Sequence, residues 1–559
     1  MKPNYDVDMR LDVKVPMRDG VNLSADIYFP RTSGKFPTVL IRSPYSNNME
    51  RMIEQGIMLA NNGYACVIQD VRGRWDSDGD FYPFQNEGPD GFDTQQWIGA
   101  QEWSTGKIGT SGGSYLGLVQ YTSAPHRSEF LTALAPRVIP WDMYSGLLYP
   151  GGALQLNVAM SWAMRSNART AQSIDYHNWT EAFRALPVVD IIKAAGRDIA
   201  YWKDWIQHSS YDDYWAKHNV EDQQGDIAVP ALNMGGWYDI FAQHTFTAFN
   251  GLRLNGRTPE ARQSKIIVGP WVHALSNAQQ TGNIDFGANS MVDLDALDVR
   301  WFDYWLKGID NGIVDEPPLR LFIMGVNQWH DEHEWPLART DWQKWYLHSN
   351  GAANSATGDG VLSADAPGDE SPDHFAYDPR FPVQTLGGNN CCSPHIVPWG
   401  PYDQRPAEAR NDVLCYTTPP LEEDTEVTGP IKVVLYAATD GPDTDWTAKL
   451  VDVSPTGYAK NLCDGIIRAR YRESMSEPTL LEANKVYEYE IDVSVTGNVF
   501  KKGHQIRVEV SSSNFPRFDR NLNTGHTLGM DAEIRVARQT VHHSRQYPSH
   551  ILLPVIPCG

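Results

Sequence analysis

The stretch that most restricts the fold runs from Lys107 to Ala124. A short β-prone segment, Lys107-Ile-Gly109, meets the glycine-rich turn Thr110-Ser-Gly-Gly-Ser114. The turn passes straight into Tyr115-Leu-Gly-Leu-Val-Gln-Tyr-Thr-Ser-Ala124, which carries small and aliphatic residues at helical spacing. A serine at such a strand-to-helix turn sits on a sharp backbone bend, with its hydroxyl pushed out above the sheet. Glycines beside it, here Gly112 and Gly117, let strand and helix approach closely. The spacing is Gly-x-Ser-Tyr-x-Gly rather than the commoner Gly-x-Ser-x-Gly. Ser114 is therefore a candidate nucleophile only if the rest of the chain supplies its partners.

The surrounding rhythm predicts a parallel sheet. Asp12–Gly20 and Val21–Tyr28 alternate about an Asp-Gly turn and read as an opening hairpin. Phe36–Arg42, Tyr64–Asp70 and Phe130–Ala135 read as buried strands, with helices near Met49–Asn61 and Asp93–Ile98 between them. Strands alternating with helices at this pace imply a sheet covered on both faces. From about Pro140 to Asp226 strand signals vanish, and aromatic, Ala and charged residues recur at helical spacing, as in Ala159–Arg169 and Trp179–Leu186. The sheet pattern returns with Val229–Met234 and Ser264–Gly269, and the amphipathic stretch Met291–Lys307 follows. Past about residue 340 the helices stop. Short strands such as Ile431–Ala437, Trp446–Asp452 and Gln505–Val510, punctuated by Gly, Pro, Asn and Asp, predict a β-sandwich. The expected organisation is an α/β domain in two parts, 1–140 and 228–340, interrupted by a helical cap over 141–227 and followed by an all-β domain over 341–559.

A serine nucleophile needs a base to take its proton and a buried carboxylate to orient that base. The strand at Val229–Met234 runs into Gly235-Gly-Trp-Tyr-Asp239, and the strand at Ile266–Gly269 runs into Pro270-Trp-Val-His273. Each places a polar residue after an apolar strand, where loops carry chemistry. Together with the elbow, the motifs Gly-Trp-Tyr-Asp and Gly-Pro-Trp-x-His resemble the cocaine esterase and X-Pro dipeptidyl-peptidase type of serine hydrolase. The turn Arg72-Gly-x-x-x-Ser77-x-Gly79, the stretch Trp301–Gly308 and Asn327-Gln-Trp329 belong to the same resemblance, which spans the chain from about residue 10 to its end. It implies an α/β-hydrolase domain with an inserted helical cap and a C-terminal jelly roll. It also implies Ser114 as nucleophile, His273 as general base, Asp239 as its orienting acid, and Tyr45 with the backbone N–H of Tyr115 as the oxyanion hole. The residues support Tyr45 separately, because a second donor must come from a loop after an earlier strand, and Val39–Arg42 leads into Ser43-Pro-Tyr45.

The reading is a serine acyl hydrolase of carboxylic esters, amides being left open, working through an acyl-enzyme with no metal or cofactor. Trp141, Trp162 and Phe241 are candidates for lining the acyl pocket. An X-Pro dipeptidyl peptidase or an α-amino-acid ester or β-lactam acylase would need carboxylates for the substrate ammonium. The residues after Asp239 are Ile240-Phe241-Ala242, so a neutral acyl group is expected, although Asp142 and Asp175 of the cap could supply charge. A non-catalytic carbohydrate-binding protein is the alternative from another class; it would be favoured by a missing triad member, and none is missing.

Composition narrows the partners. A net charge of −22 repels phosphate backbones and anionic lipid, so neither nucleic acid nor a membrane surface is expected. A small-molecule ester or amide remains, and a homo-oligomer is left open. Met1–Asp8 lacks the apolar core of a signal peptide, and no apolar run reaches membrane-spanning length, so a cytoplasmic location is expected. Six cysteines at irregular spacing, with no Cys-x-x-Cys, point to reduced thiols, a single bridge in the C-terminal third being left open. Asp76-Ser-Asp-Gly-Asp80 reads as a solvated turn, His330-Asp-Glu-His333 as a surface loop, and His542-His543 as no ligand pair.

Overall fold

The computed structural model describes residues 5–174, 177–275 and 278–557. The chain opens with β1 (Val7–Pro16) and β2 (Asn22–Pro30), antiparallel about a turn in which Gly20 takes φ +87°. Then come β3 (Phe36–Ser43), α1 (Glu50–Asn61), β4 (Ala65–Asp70), α2 (Glu87–Gly99), β5 (Ser104–Gly113), α3 (Tyr115–Ser123) and β6 (Leu131–Arg137). Between β6 and β7 the chain leaves the sheet and builds α4 (Leu156–Ser166), α5 (Trp179–Ala182), α6 (Ile191–Ala194), α7 (Ala200–Gln207) and α8 (Asp213–Ala216). It returns through β7 (Leu232–Tyr238), α9 (Ala242–Asn255) and β8 (Lys265–Val272). A small hairpin, β9 (Gln280–Thr281) and β10 (Ile284–Asp285), precedes α10 (Leu294–Lys307), β11 (Leu319–Ile323) and β12 (Gln328–Glu332).

The main sheet has ten strands in the order β1-β2-β4-β3-β5-β6-β7-β8-β11-β12. The run from β4 through β11 is parallel, and antiparallel pairs flank it on both sides. Every residue of β4 and of β7 is buried, as expected for central strands covered on both faces, whereas the edge strand β1 is mostly exposed. The helix α10 starts at Asp293, whose side chain accepts the Ala296 N–H at 2.9 Å, and stops at Gly308 in the left-handed region. Its inner face lays Trp301 and Phe302 on the sheet, against β5 at Gly109, where a side chain would collide with the Phe302 ring.

The C-terminal part is an all-β domain of eleven strands. Its longest pair, Thr425–Thr439 with Tyr487–Phe500, alternates buried and half-buried residues over Ile431–Ala437, the period-two pattern of a sheet with one face on a core. That core is continuous with Trp237 of β7, Phe246 of α9 and Phe322 of β11. Backbone bonds between Met324 and Gly497 and between Val499 and Met324 extend the contact. The fold is therefore an α/β-hydrolase-type domain joined to an all-β domain.

Several local expectations are corrected. A one-turn helix, Arg405–Glu408, forms beyond residue 340. His330 to Glu332 lie not in a loop but on the edge strand β12, paired with β11. The strand before Asp239 runs on to Tyr238, because Gly235 and Gly236 have no side chains to obstruct it; a Cβ on Gly236 would lie 2.2 Å from the Trp271 carbonyl oxygen. Cys391 and Cys392 are joined by a disulfide, while Cys66, Cys415 and Cys463 are free and buried. His543 is buried between Asp373 and Glu370. No group of metal-ligating side chains occurs among the described residues, and no helix among them is long and apolar enough to cross a membrane.

Candidate active site

The elbow is built by close approach. Ser114 adopts φ +59° and ψ −125°, a conformation that L-residues avoid and that persists only where the surroundings enforce it. Here the Ser114 N–H donates to the Arg137 carbonyl of β6 at 2.9 Å, and its carbonyl accepts the N–H groups of Gly117 and Leu118 at 2.9 Å each. A Cβ on Gly117 would sit 2.3 Å from Ile139 Cγ2, so only glycine lets α3 lie against the end of β6. Behind the elbow, buried Asp298 of α10 accepts from Ser111 Oγ at 2.8 Å and from Arg137 Nη2 at 2.6 Å, bracing both strands that frame Ser114.

Strands β5, β7 and β8 point the same way, so residues following their C-terminal ends meet at one rim of the sheet. Ser114 follows β5, Asp239 follows β7, and His273 follows β8. His273 Nε2 lies 2.9 Å from Ser114 Oγ, and His273 Nδ1 lies 2.7 Å from Asp239 Oδ1. Asp239 is wholly buried, and the ring of Phe241 meets His273 edge-on at 5.4 Å. The loop bearing Asp239 is held from the all-β domain, since Asn389 Nδ2 donates to the carbonyls of Trp237 at 3.0 Å and Asp239 at 2.7 Å.

Tyr45, after β3, stands across from the elbow. Its hydroxyl accepts the Trp162 indole N–H at 2.8 Å. Burial raises its pKa, against the Trp162 hydrogen bond and the charges of Arg165 and Arg74, so at neutral pH the phenol keeps its proton. The Tyr115 backbone N–H, one residue past Ser114, has no acceptor among the described residues. The Tyr115 side chain is fixed from behind by its bond to buried Glu87 at 2.7 Å, and Glu87 pairs with Arg42 at 3.0 Å. Burial pushes the Glu87 carboxyl up, with Arg42 opposing, and pushes the Tyr115 phenol far above its ordinary range.

These groups open on a cleft. One wall is aromatic: Tyr115 and Trp162 stack with ring centres 5.9 Å apart and planes within 9°, and Phe84 and Trp205 extend the stack. Aliphatic side chains of Leu118, Pro140, Leu147, Leu148, Val158 and Ala159 line the cleft as well. Phe241 and the Cys391–Cys392 disulfide complete the lining. No lining residue among the described residues is charged. Trp162 and Phe241 thus stand on the cleft, whereas Trp141 does not. Its ring is wholly buried edge-on against Tyr121 at 4.8 Å, in a separate core with Ala231 and Leu252, because the chain has already turned away from the rim at Pro140. Asp142 also faces away, accepting from the Tyr144 and Ser145 N–H groups and from Ser145 Oγ. Asp175 lies outside the described residues. Asn389, Glu87 and the paired cysteines went unnoticed in the sequence. Only the preceding Gly387-Gly388, a turn signal, marked the loop from the all-β domain that reaches the site.

Comparison with known proteins places the chain in a family. Residues 19–275 match the model of the X-Pro dipeptidyl-peptidase (S15) family, and residues 311–552 match that of the X-Pro dipeptidyl-peptidase C-terminal non-catalytic domain. The chain is 38% identical to a cocaine esterase of Rhodococcus sp. (strain MB1 Bresler), over 99% of both chains. A putative serine esterase of Mycobacterium bovis is 24% identical over 97% of this chain and 94% of its own. Among solved structures, an aminopeptidase from a marine-sediment Thaumarchaeota archaeon superposes with TM-score 0.88 at 26% identity, covering 99% of this chain and 97% of its own. An α-amino acid ester hydrolase superposes with TM-score 0.86 at 26% identity and the same coverage. The chain belongs to the family of serine hydrolases that contains the X-Pro dipeptidyl-peptidases and cocaine esterase, and it is a serine carboxylic ester hydrolase.

Proposed function

We propose that Ser114, His273 and Asp239 form the catalytic triad, that Tyr45 and the Tyr115 N–H form the oxyanion hole, and that the substrates are esters of uncharged aromatic or short aliphatic acids. Ser114 Oγ attacks the ester carbonyl while His273 Nε2 takes its proton. Asp239 keeps the proton of Nδ1 in place and stabilises the imidazolium. The carbonyl oxygen gains negative charge as the tetrahedral adduct forms, and the Tyr45 O–H and Tyr115 N–H meet that charge. Because Tyr45 Oη already accepts from Trp162, its own proton is left to point at the rim. The adduct collapses as His273 returns the proton to the leaving alcohol. Water then repeats the sequence, releasing the acid and restoring Ser114. The cap segment 141–227 supplies much of the acyl wall.

The observation that carries this reading is the chain of short contacts Ser114–His273–Asp239 beside a cleft with no charged lining among the described residues. An apolar cleft with an aromatic wall suits a flat or compact acyl group, held by stacking rather than by ions. The test is Ser114→Ala with a 4-nitrophenyl ester and a fluorophosphonate probe. The variant is expected to keep its circular dichroism spectrum, lose at least about 10³-fold in kcat and take up no label. Near-normal turnover would refute the assignment.

A further inference from the structure

The turn Arg72–Asp80 contains a guanidinium that the reaction so far leaves without a task. Arg74 is wholly buried and has no carboxylate in contact among the described residues. Its Nε donates to the Pro44 carbonyl at 2.8 Å, the peptide immediately before Tyr45. Its Nη1 donates to the Ser166 carbonyl at 3.0 Å, at the C-terminal end of α4, the helix that carries Trp162. Nη2 has no partner, and the guanidinium lies over the Phe81 ring at 5.2 Å. A buried, unpaired cation is costly, and its retention calls for a reason. Trp75 Nε1 adds a second donor to the same Pro44 carbonyl at 3.2 Å.

We propose that Arg74 is a positioning residue for the oxyanion hole, tying the Tyr45 loop to the end of the helix bearing Trp162 and so fixing the Tyr45 hydroxyl relative to its indole donor. The inference rests on the reading of Tyr45 as an oxyanion donor. Tyr45 and Trp162 come from segments more than a hundred residues apart, and their 2.8 Å bond requires the loop and α4 to keep a fixed offset. Arg74 spans that offset with two donors on one rigid plane, which a lysine could not reproduce. The α4 carbonyl end, carrying partial negative charge, offsets part of the cost of the cation.

The experiment is a double-mutant cycle with a 4-nitrophenyl ester as substrate and phenylboronic acid as a tetrahedral-adduct mimic. Tyr45→Phe alone is expected to lower kcat about 10²–10³-fold. Arg74→Met is expected to lower kcat about tenfold or more with KM within about threefold, and to weaken boronate binding in parallel. In the Tyr45→Phe background the same substitution is expected to cost less than about threefold in each measurement, because its target is gone. Arg74→Lys should recover only part of the loss. If Arg74→Met does not fold, Arg74→Lys and Trp75→Phe carry the same cycle with smaller effects. Equal losses in both backgrounds, or losses confined to KM, overturn the inference while leaving Tyr45 its role. An unchanged kcat for Tyr45→Phe instead overturns the reading of Tyr45.

Discussion

Replacing a neutral acyl group by an α-ammonium one tests the cleft directly. A phenylglycyl ester differs from a phenylacetyl ester by one amine beside the scissile carbonyl. Among the described residues of the cleft that amine would meet Leu, Val, Ala, Pro and aromatic side chains and no charged group. Carboxylates nearby are already engaged: Glu87 lies behind Tyr115 and pairs with Arg42, and Asp142 accepts from Tyr144 and Ser145. Burying the ammonium unpaired would cost several kcal/mol, so the cheaper route is to bind the free amine. With an α-amino pKa of about 7.7, deprotonation at about pH 6 costs about 1.7 × 1.36, or about 2.3 kcal/mol. The phenylacetyl ester should therefore exceed its phenylglycyl counterpart in kcat/KM by roughly fiftyfold at about pH 6, the ratio falling about tenfold per pH unit until the amine is neutral. Measuring both esters side by side from about pH 6 to 8 cancels the titration of the triad itself. A ratio near one at the acid end, or a preference for the phenylglycyl ester, would refute the reasoning and place a carboxylate on the cleft; Asp175→Asn would then show whether that residue supplies it.

Two further outcomes follow from packing and charge. Gly117→Ala should destabilise the protein by about 1–3 kcal/mol and lower kcat, since the new methyl group must displace Ile139 or lift α3 and the elbow with it; an unchanged thermal midpoint would mean that the approach is looser than the contact implies. In the all-β domain, burial disfavours charge on His543, but its bonds to Asp373 and Glu370 prevail and raise its pKa, while Asp373 and Glu370 are held below their ordinary values. The raised imidazole gives stability that is full below its unfolded pKa of about 6.5 and is lost as pH climbs through the folded value. The depressed carboxylates give stability present above their unfolded values and lost as pH falls through the folded ones. Thermal melts should thus show the gap between the wild type and His543→Gln widest in mildly acidic buffer and narrowing toward alkaline pH, and a gap that grows with pH would contradict this.

Much of the architecture was legible because it rests on local patterns. The buried run of β4 and the alternation along Ile431–Ala437 each announce how many of their faces are covered. Boundaries were less legible where glycine was involved. The strand pattern ends at Met234 in the sequence, yet Gly235-Gly236 continue β7, Gly236 lying where the neighbouring strand leaves room for nothing larger. Trp141 and Trp162 look alike in sequence, both aromatic and both in the inserted segment, but one fills a core beside Tyr121 and the other donates to Tyr45.

By itself the sequence determined the order of strands and helices, the elbow at Ser114, and a carboxylate and an imidazole each placed after a strand. These depend on residue periodicity and on glycines within a few positions of one another, which the chain carries locally. The tertiary structure alone decided that His273 reaches both Ser114 and Asp239, that the described lining of the cleft is apolar and aromatic, and that Arg74, Asn389 and the cysteine pair stand where they do. Those facts join segments that lie dozens to hundreds of residues apart, and their geometry is set by how parallel strands, cap and all-β domain pack. No local pattern encodes a distance across that packing.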